Sequence, residues 1–271
     1  MRFGILGPLD MRATHLGSAM APPGPPKVRT VLGTLLIRAN HVVSATTLVD
    51  ELWNERPPRT AIATLHVYIS QLRKSFDQME TGLGRRILLT KRPGYLLRVA
   101  RGELDLADFE HLHARGGAAL EAGDVQAAAD YQHQALALWR GPLLCDTPQG
   151  LLLRSSAARL AELRMSALER RISADQRLGR HQDLIGELQE LTLQYPMWEE
   201  IHGHLMLALY RTGRRAEALR AYERVRRSLG RELDIAPGQR LQNVHRRIRA
   251  GLDCSPEPTT SRRAPTAVGA R

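Results

Sequence analysis

Gly179 and Gly213 stand 34 residues apart, and the positions after each glycine repeat in kind. Offset five holds Leu184 and Ala218, offset nine Leu188 and Tyr222, and offset twelve Leu191 and Val225. Thirty-four residues is the period of tetratricopeptide helix hairpins. Such a unit cannot bury its apolar face alone, so it stacks on its neighbours into a helical superhelix. Gly123 begins a weaker copy, with Ala128 and Ala135 at offsets five and twelve. It lies 56 residues before Gly179, so about 22 residues interrupt the period. The stretch from Glu103 to Leu252 reads as helical throughout, with three degenerate repeats.

The first hundred residues follow a different pattern. Arg2–Ala13 carries Phe3, Ile5, Leu6, Leu9 and Met11 around Gly7-Pro8, which reads as two short strands or one kinked strand. Met20–Pro26 is a proline-rich loop. Pro26 opens a helix to about Ala39, with Val28, Val31, Leu32, Leu35 and Leu36 at helical spacing. Val42-Val43 is extended, and Ser44 caps a short helix, Ala45–Trp53. A third helix, about Thr60–Gln78, follows Pro57-Pro58. Its buried stripe is Ile62, Leu65, Ile69, Leu72 and Phe76. Opposite lie Thr60, Ala63, Thr64, Val67, Gln71 and Lys74, flanked by Tyr68 and Ser70, a compact face that fits a major groove. Ile87–Thr90 and Tyr95–Val99 then form a hairpin whose tip carries Lys91 and Arg92. Three helices and a basic hairpin are the order of a winged helix-turn-helix, with the third helix as reader and the hairpin as wing.

Charge agrees with this placement. The formal net charge is +11, and residues 1–100 hold 14 Lys/Arg against 6 Asp/Glu, whereas the remainder holds 25 against 22. A basic excess at one end suits a polyanionic partner. None of the three lysines, Lys27, Lys74 and Lys91, follows a glycine, which excludes a P-loop. His111/His113 and His202/His204 are spaced two apart, and on a helix such side chains diverge, so no metal site is expected. No Ser or Cys sits in a nucleophile motif, and no cofactor or catalytic residue is expected. Two cysteines, no membrane-spanning run and no signal-peptide core fit a cytoplasmic protein. Trp53 and the Trp139-Arg140-Gly141-Pro142 segment read as core and as a helix end. Arg214-Arg215 and Arg224–Arg227 read as solvated helix faces, with a secondary DNA or polymerase contact as the other reading.

The chain resembles the Streptomyces antibiotic regulatory protein family of actinobacterial transcription activators over about Arg2–Leu252. The first part of the resemblance rests on FGILGPL (Phe3–Leu9), PKVRTVLGTLLIRAN (Pro26–Asn40), LVDELW (Leu48–Trp53), TLHVYISQLRKSF (Thr64–Phe76) and RPGYLL (Arg92–Leu97). The second rests on DLADFE (Asp105–Glu110), ALALWRGPLL (Ala135–Leu144), RLAELR (Arg159–Arg164), MLALYRTGRRAEALRAY (Met206–Tyr222) and RELDIAPG (Arg231–Gly238). The resemblance implies a mainly α protein with small β sheets. A response-regulator-type winged helix (1–100) would precede an all-α tetratricopeptide-like activation domain (101–254) and a disordered tail (255–271). It also implies binding to tandem direct repeats near a −35 element and recruitment of RNA polymerase holoenzyme. Three departures stand out: His66 where the family commonly has Gln, and Asn54 and Asp234 where Gly is common. Neither control by ATP nor a phosphorelay is implied.

The expected function is therefore sequence-specific activation of a secondary-metabolite gene cluster, without enzymatic activity, by a head-to-tail dimer on double-stranded DNA. The reading residues are Thr64, Val67, Tyr68, Gln71 and Lys74, with Lys91 and Arg92 in the wing. Asn54, Glu55, Arg56 and Arg59, in the loop before the reading helix, are the candidate contacts to polymerase and its sigma factor. A repressor or anti-activator with the same DNA domain, and a tetratricopeptide scaffold, are the alternatives. The protein is expected in the cytoplasm at the nucleoid, away from membranes.

Overall fold

The structure is a computed structural model that describes residues 1–12, the backbone of 19–20, and residues 24–54 and 56–252. The tail 255–271 and Glu55 lie outside the described residues. Contacts divide the chain into two units, Met1–Ala174 and Asp175–Arg271.

In the first unit, β1 (Arg2–Gly4) and β2 (Asp10–Arg12) pair antiparallel with Phe3 opposite Met11, and β3 (Ala19–Met20) extends the sheet. Helix α1 (Pro26–Ile37) begins on its proline and buries Val28, Val31, Leu32, Leu35 and Leu36. The chain turns at Asn40, whose side-chain amide pairs both ways with the Val99 backbone at 2.9 Å. Strand β4 (Val42–Ser44) leads into α2 (Ala45–Trp53), where Ser44 Oγ accepts the Thr47 N–H at 3.0 Å as the cap. Then come α3 (Ala61–Asp77), the short α4 (Leu83–Ile87), β5 (Leu88–Lys91) and β6 (Gly94–Leu97). The second sheet has the order β4-β6-β5. Gly94 is required there, because a Cβ would collide with the Val43 carbonyl of β4. Helix α4 is invisible to periodicity, since five residues are too few to show a face; Asp77 fixes its start by accepting the Gly84 N–H at 2.8 Å.

The same unit continues through α5 (Asp105–Glu121), α6 (Val125–Ala137) and most of α7 (Leu151–Arg177). Residues 138–150 are irregular, so the helical reading of Glu103–Leu252 is interrupted where Trp139–Pro142 was expected to end a helix. Helix α6 ends at Ala137, Gly141-Pro142 keeps the helix from resuming, and the backbone beyond α6 binds the N-terminal segment. Arg140 N–H donates to Leu6 O at 2.7 Å and Leu144 N–H to Ile5 O at 3.1 Å, while Thr30 Oγ1 donates to Pro148 O at 2.8 Å. One hydrophobic core therefore runs from Phe3 through Leu35, Leu65 and Phe109 to Ala167. The boundary expected near residue 100 is not a division in packing.

The second unit holds the end of α7, then α8 (His181–Gln194), α9 (Glu199–Arg211), α10 (Arg215–Leu233) and α11 (Gln239–Ala250). The repeat glycines fall where the sequence period places them: Gly123, Gly179 and Gly213 turn between successive helices with φ of +81°, +80° and +79°. Ala128, Leu184 and Ala218 at the first repeat offset are all buried. Three of the four histidines spaced two apart are core residues with hydrogen bonds. His113 pairs with Gln132, His202 with the Pro196 carbonyl and His204 with Gln176.

Candidate nucleic-acid interface

Leu65, Ile69, Leu72 and Phe76 anchor α3 in the core, as the stripe requires. Ile62 does not join them: it is 48% exposed, and Ala61 takes the inward place. Both positions lie one helical step before Leu65, and the inward line takes the four-residue step. The outward face carries Ala63, His66, Val67, Ser70, Gln71 and Lys74, all exposed, over a helix about 25 Å long. Val67 is 53% exposed, an apolar side chain left open at the centre of a polar face. Thr64 and Tyr68 are half-buried at its border. The Tyr68 ring stacks on Trp53 with centroids 6.4 Å apart, and Lys27 Nζ lies 4.6 Å from the Trp53 ring centroid. This stack fixes the flank of α3 against α2.

The wing places Lys91 and Arg92 in solvent at its tip. Its relation to α3 is set by Arg73, which sequence reasoning missed. Arg73 donates from Nε and Nη2 to Leu88 O at 3.1 and 2.8 Å, and from Nη2 to Thr90 Oγ1 at 2.9 Å. A guanidinium can bridge helix and strand because its planar fork offers several donors in fixed geometry. The only signal in the sequence is a cation directly beside the stripe residue Leu72. At the other end of the wing, Ala45 N–H donates to Pro93 O at 3.1 Å, which ties the tip to the start of α2.

The loop between α2 and α3 leaves Asn54, Arg56, Pro57, Pro58 and Arg59 exposed. Asn54 has φ +53° and ψ −131°, and Asp234 has φ +53° and ψ +37°. The two departures at family glycine positions thus both fall on positive-φ backbone; Asp234 lies in the left-handed region that Asp tolerates, whereas Asn54 lies outside it.

Two buried carboxylates join this reading head to the helices after it. Glu51 of α2 accepts the Leu152 and Leu153 N–H groups at 2.8 and 3.1 Å, capping the otherwise unsatisfied first turn of α7. Asp105 accepts Ile5 N–H with both oxygens at 2.9 Å and Leu6 N–H at 3.0 Å, with Arg140 Nη2 at 3.4 Å. Burial raises the Asp105 pKa above the usual carboxylate value, against the pull of these donors and of Arg140.

In the second unit Arg214 is engaged with Glu217 at 2.7 and 2.8 Å, and Arg215 caps the end of α11 through Ile248 O and Arg249 O. These arginines have structural partners. Among the described residues no cluster of His, Cys, Asp or Glu could hold a metal, and no helix is long and apolar enough to cross a membrane.

A helix with an open outer face, a cationic wing and a following set of helix hairpins define a winged-helix transcriptional regulator. The comparisons place it further. Residues 23–97 match the transcriptional regulatory protein C-terminal family, and residues 104–249 match the bacterial transcriptional activator domain. The chain belongs to the Streptomyces antibiotic regulatory protein family of transcriptional regulators. It is 39% identical over 260 residues to the regulatory protein DnrI of Streptomyces peucetius, covering 93% of this chain and 94% of DnrI. It is also 39% identical over 249 residues to the regulatory protein AfsR of Streptomyces coelicolor, covering 92% of this chain but 24% of AfsR. The solved structure of Mycobacterium tuberculosis EmbR in complex with a low-affinity phosphopeptide superposes with a TM-score of 0.87 at 34% identity. That match covers 94% of this chain and 66% of EmbR.

Proposed function

We propose that this regulator activates transcription of a secondary-metabolite gene cluster by binding tandem direct repeats near a −35 element and recruiting RNA polymerase holoenzyme. The observation that carries the reading is the pairing of an open α3 face with a two-cation wing tip, held together through Arg73. Thr64, Val67, Tyr68, Gln71 and Lys74 face the groove, and Lys91 and Arg92 neutralise phosphate beside it. Gln71 reads adenine through a bidentate pair, and Val67 meets a thymine methyl. The protein works in the cytoplasm at the nucleoid, by binding and without catalysis, with residues 1–100 reading DNA and 101–254 serving activation. Two molecules bind head to tail, since direct repeats present the same face in the same direction.

Footprinting on the promoter beside its own gene tests this reading. Protection of two repeats one helical turn, about 10–10.5 bp, apart is the expected result. With Gln71→Ala, discrimination at one or two base pairs should fall by ~1–3 kcal/mol each. A uniform loss across operator variants would remove Gln71 from base reading. The loop Asn54, Glu55, Arg56 and Arg59 contacts polymerase in this scheme. The double variant Glu55→Ala, Arg56→Ala should keep operator affinity within a few fold while transcription from purified components collapses.

A further inference from the structure

The second unit contains a cavity of about 290 Å³ between α9 and α11. Leu207, Leu241 and Val244 give it an apolar wall, and Glu200, Arg240 and His204 also line it. Its size is near the lower end for small-molecule sites, which are apolar with a few placed polar groups.

The polar group at this wall is unusually well defined. Gln176 donates from Nε2 to the His204 carbonyl at 2.8 Å, so its Oε1 faces His204 Nδ1 at 2.7 Å as acceptor. Nδ1 must therefore carry the proton, and Nε2 is left as an acceptor with no hydrogen-bond partner among the described residues, on a side chain only 8% exposed. Burial holds the imidazole pKa near 4, so it is neutral at pH 7. His202 differs, because its unpartnered Nδ1 is sealed in the protein, whereas Nε2 of His204 is not. Glu199 is committed to the Gly238 N–H at 2.6 Å, while Glu200 makes no hydrogen bond or ion pair among the described residues.

We infer that this cavity is a binding site for a small molecule with a compact apolar ring and a hydroxyl or ammonium donor. The donor meets Nε2 of His204 and the ring packs on Leu207, Leu241 and Val244, while for an ammonium donor the Glu200 carboxylate offsets the Arg240 cation. A rigid acceptor inside an apolar wall rewards a ligand that brings the missing proton and rejects one that does not. The activation part of the chain then carries a ligand site of its own, separate from its DNA reader and independent of the operator reading above.

The test is titration of the full chain with benzyl alcohol, benzylamine and toluene, followed through the His204 imidazole nitrogen resonances. Either donor probe should shift Nε2 at millimolar concentration, with toluene at least fivefold weaker. Leu207→Trp, which fills the cavity, should weaken the donor probes at least tenfold. Val244→Trp serves from the opposite wall if that variant does not fold. Toluene binding as well as both donors, a silent His204 with every probe, or undiminished binding in a folded cavity-filled variant would each overturn the inference. DNA binding is not read in this experiment, so its outcome stands apart from that of the footprint.

Discussion

At the residue scale, backbone conformation explains what sequence comparison could only register as substitution. Asp234 occupies left-handed backbone at the end of α10. A side chain there costs up to ~1–2 kcal/mol, partly relieved for Asp and absent for Gly. Asp234→Gly is therefore expected to raise stability by about 0.5–1 kcal/mol, measured by urea denaturation; a loss would mean that the Asp side chain makes a compensating contact. The Ser44 cap, the α3 stripe from Leu65 onward and the repeat glycines were legible in the sequence because each rests on local spacing. Arg73 and Glu51 were not. Their roles depend on groups 15 and about 100 residues away, and no local period encodes a long-range hydrogen bond. Ile62 misled because two neighbouring positions satisfied the same helical step, and only the packing around Ala61 chose between them.

At the scale of elements, the wing and α9 make opposite demands on charge. The wing keeps its cations in solvent, where a phosphate can replace water at small cost. Lys91→Ala should weaken binding to every sequence alike and reduce the slope of log K against log salt by roughly one. An unchanged slope would take Lys91 off the backbone. Helix α9 instead buries His202 and His204, whose pKa values fall from 6.5 to about 4 through burial, with Arg224 and Arg240 adding to the effect at each. Because the folded pKa lies below the unfolded one, the unfolded chain takes up protons first. Stability is present above pH 6.5 and is lost as pH falls toward 4. Between pH 7 and 5 the second unit should lose about 2 kcal/mol for each imidazole. Hydrogen exchange at α9 amides would report this, and a flat profile over that range would contradict neutral burial. The α9 histidines were visible in the sequence only as a failed metal pair; their neutrality required knowing what surrounds them.

For the whole chain, the fold class and the order of its parts were legible because each part has its own period, whereas the contacts that cross from one part to the other have none. The seam near residue 100 is where family patterns change, yet Glu51, Asp105 and the 138–150 segment carry the packing across it. A fragment of residues 1–100 loses the donors and apolar surface that these supply. It is expected to melt more than about 10 °C below a fragment of residues 1–177, since each lost kcal/mol shifts a domain of that size by ~4–8 °C. Equal melting temperatures would show that the first hundred residues stand alone. The same seam bears on how such regulators can be recombined. A reading head exchanged between relatives at residue 100 would have to fit its Ile5, Leu6 and Glu51 positions to partners from a different sequence, at the Asp105 position and the first turn of α7. The unit that can be transplanted with its operator preference intact extends through α7. New specificities in this family would then be grafted by carrying the first helical hairpin along with the reader, and a junction placed earlier would yield chimeras limited by folding before DNA choice is ever tested.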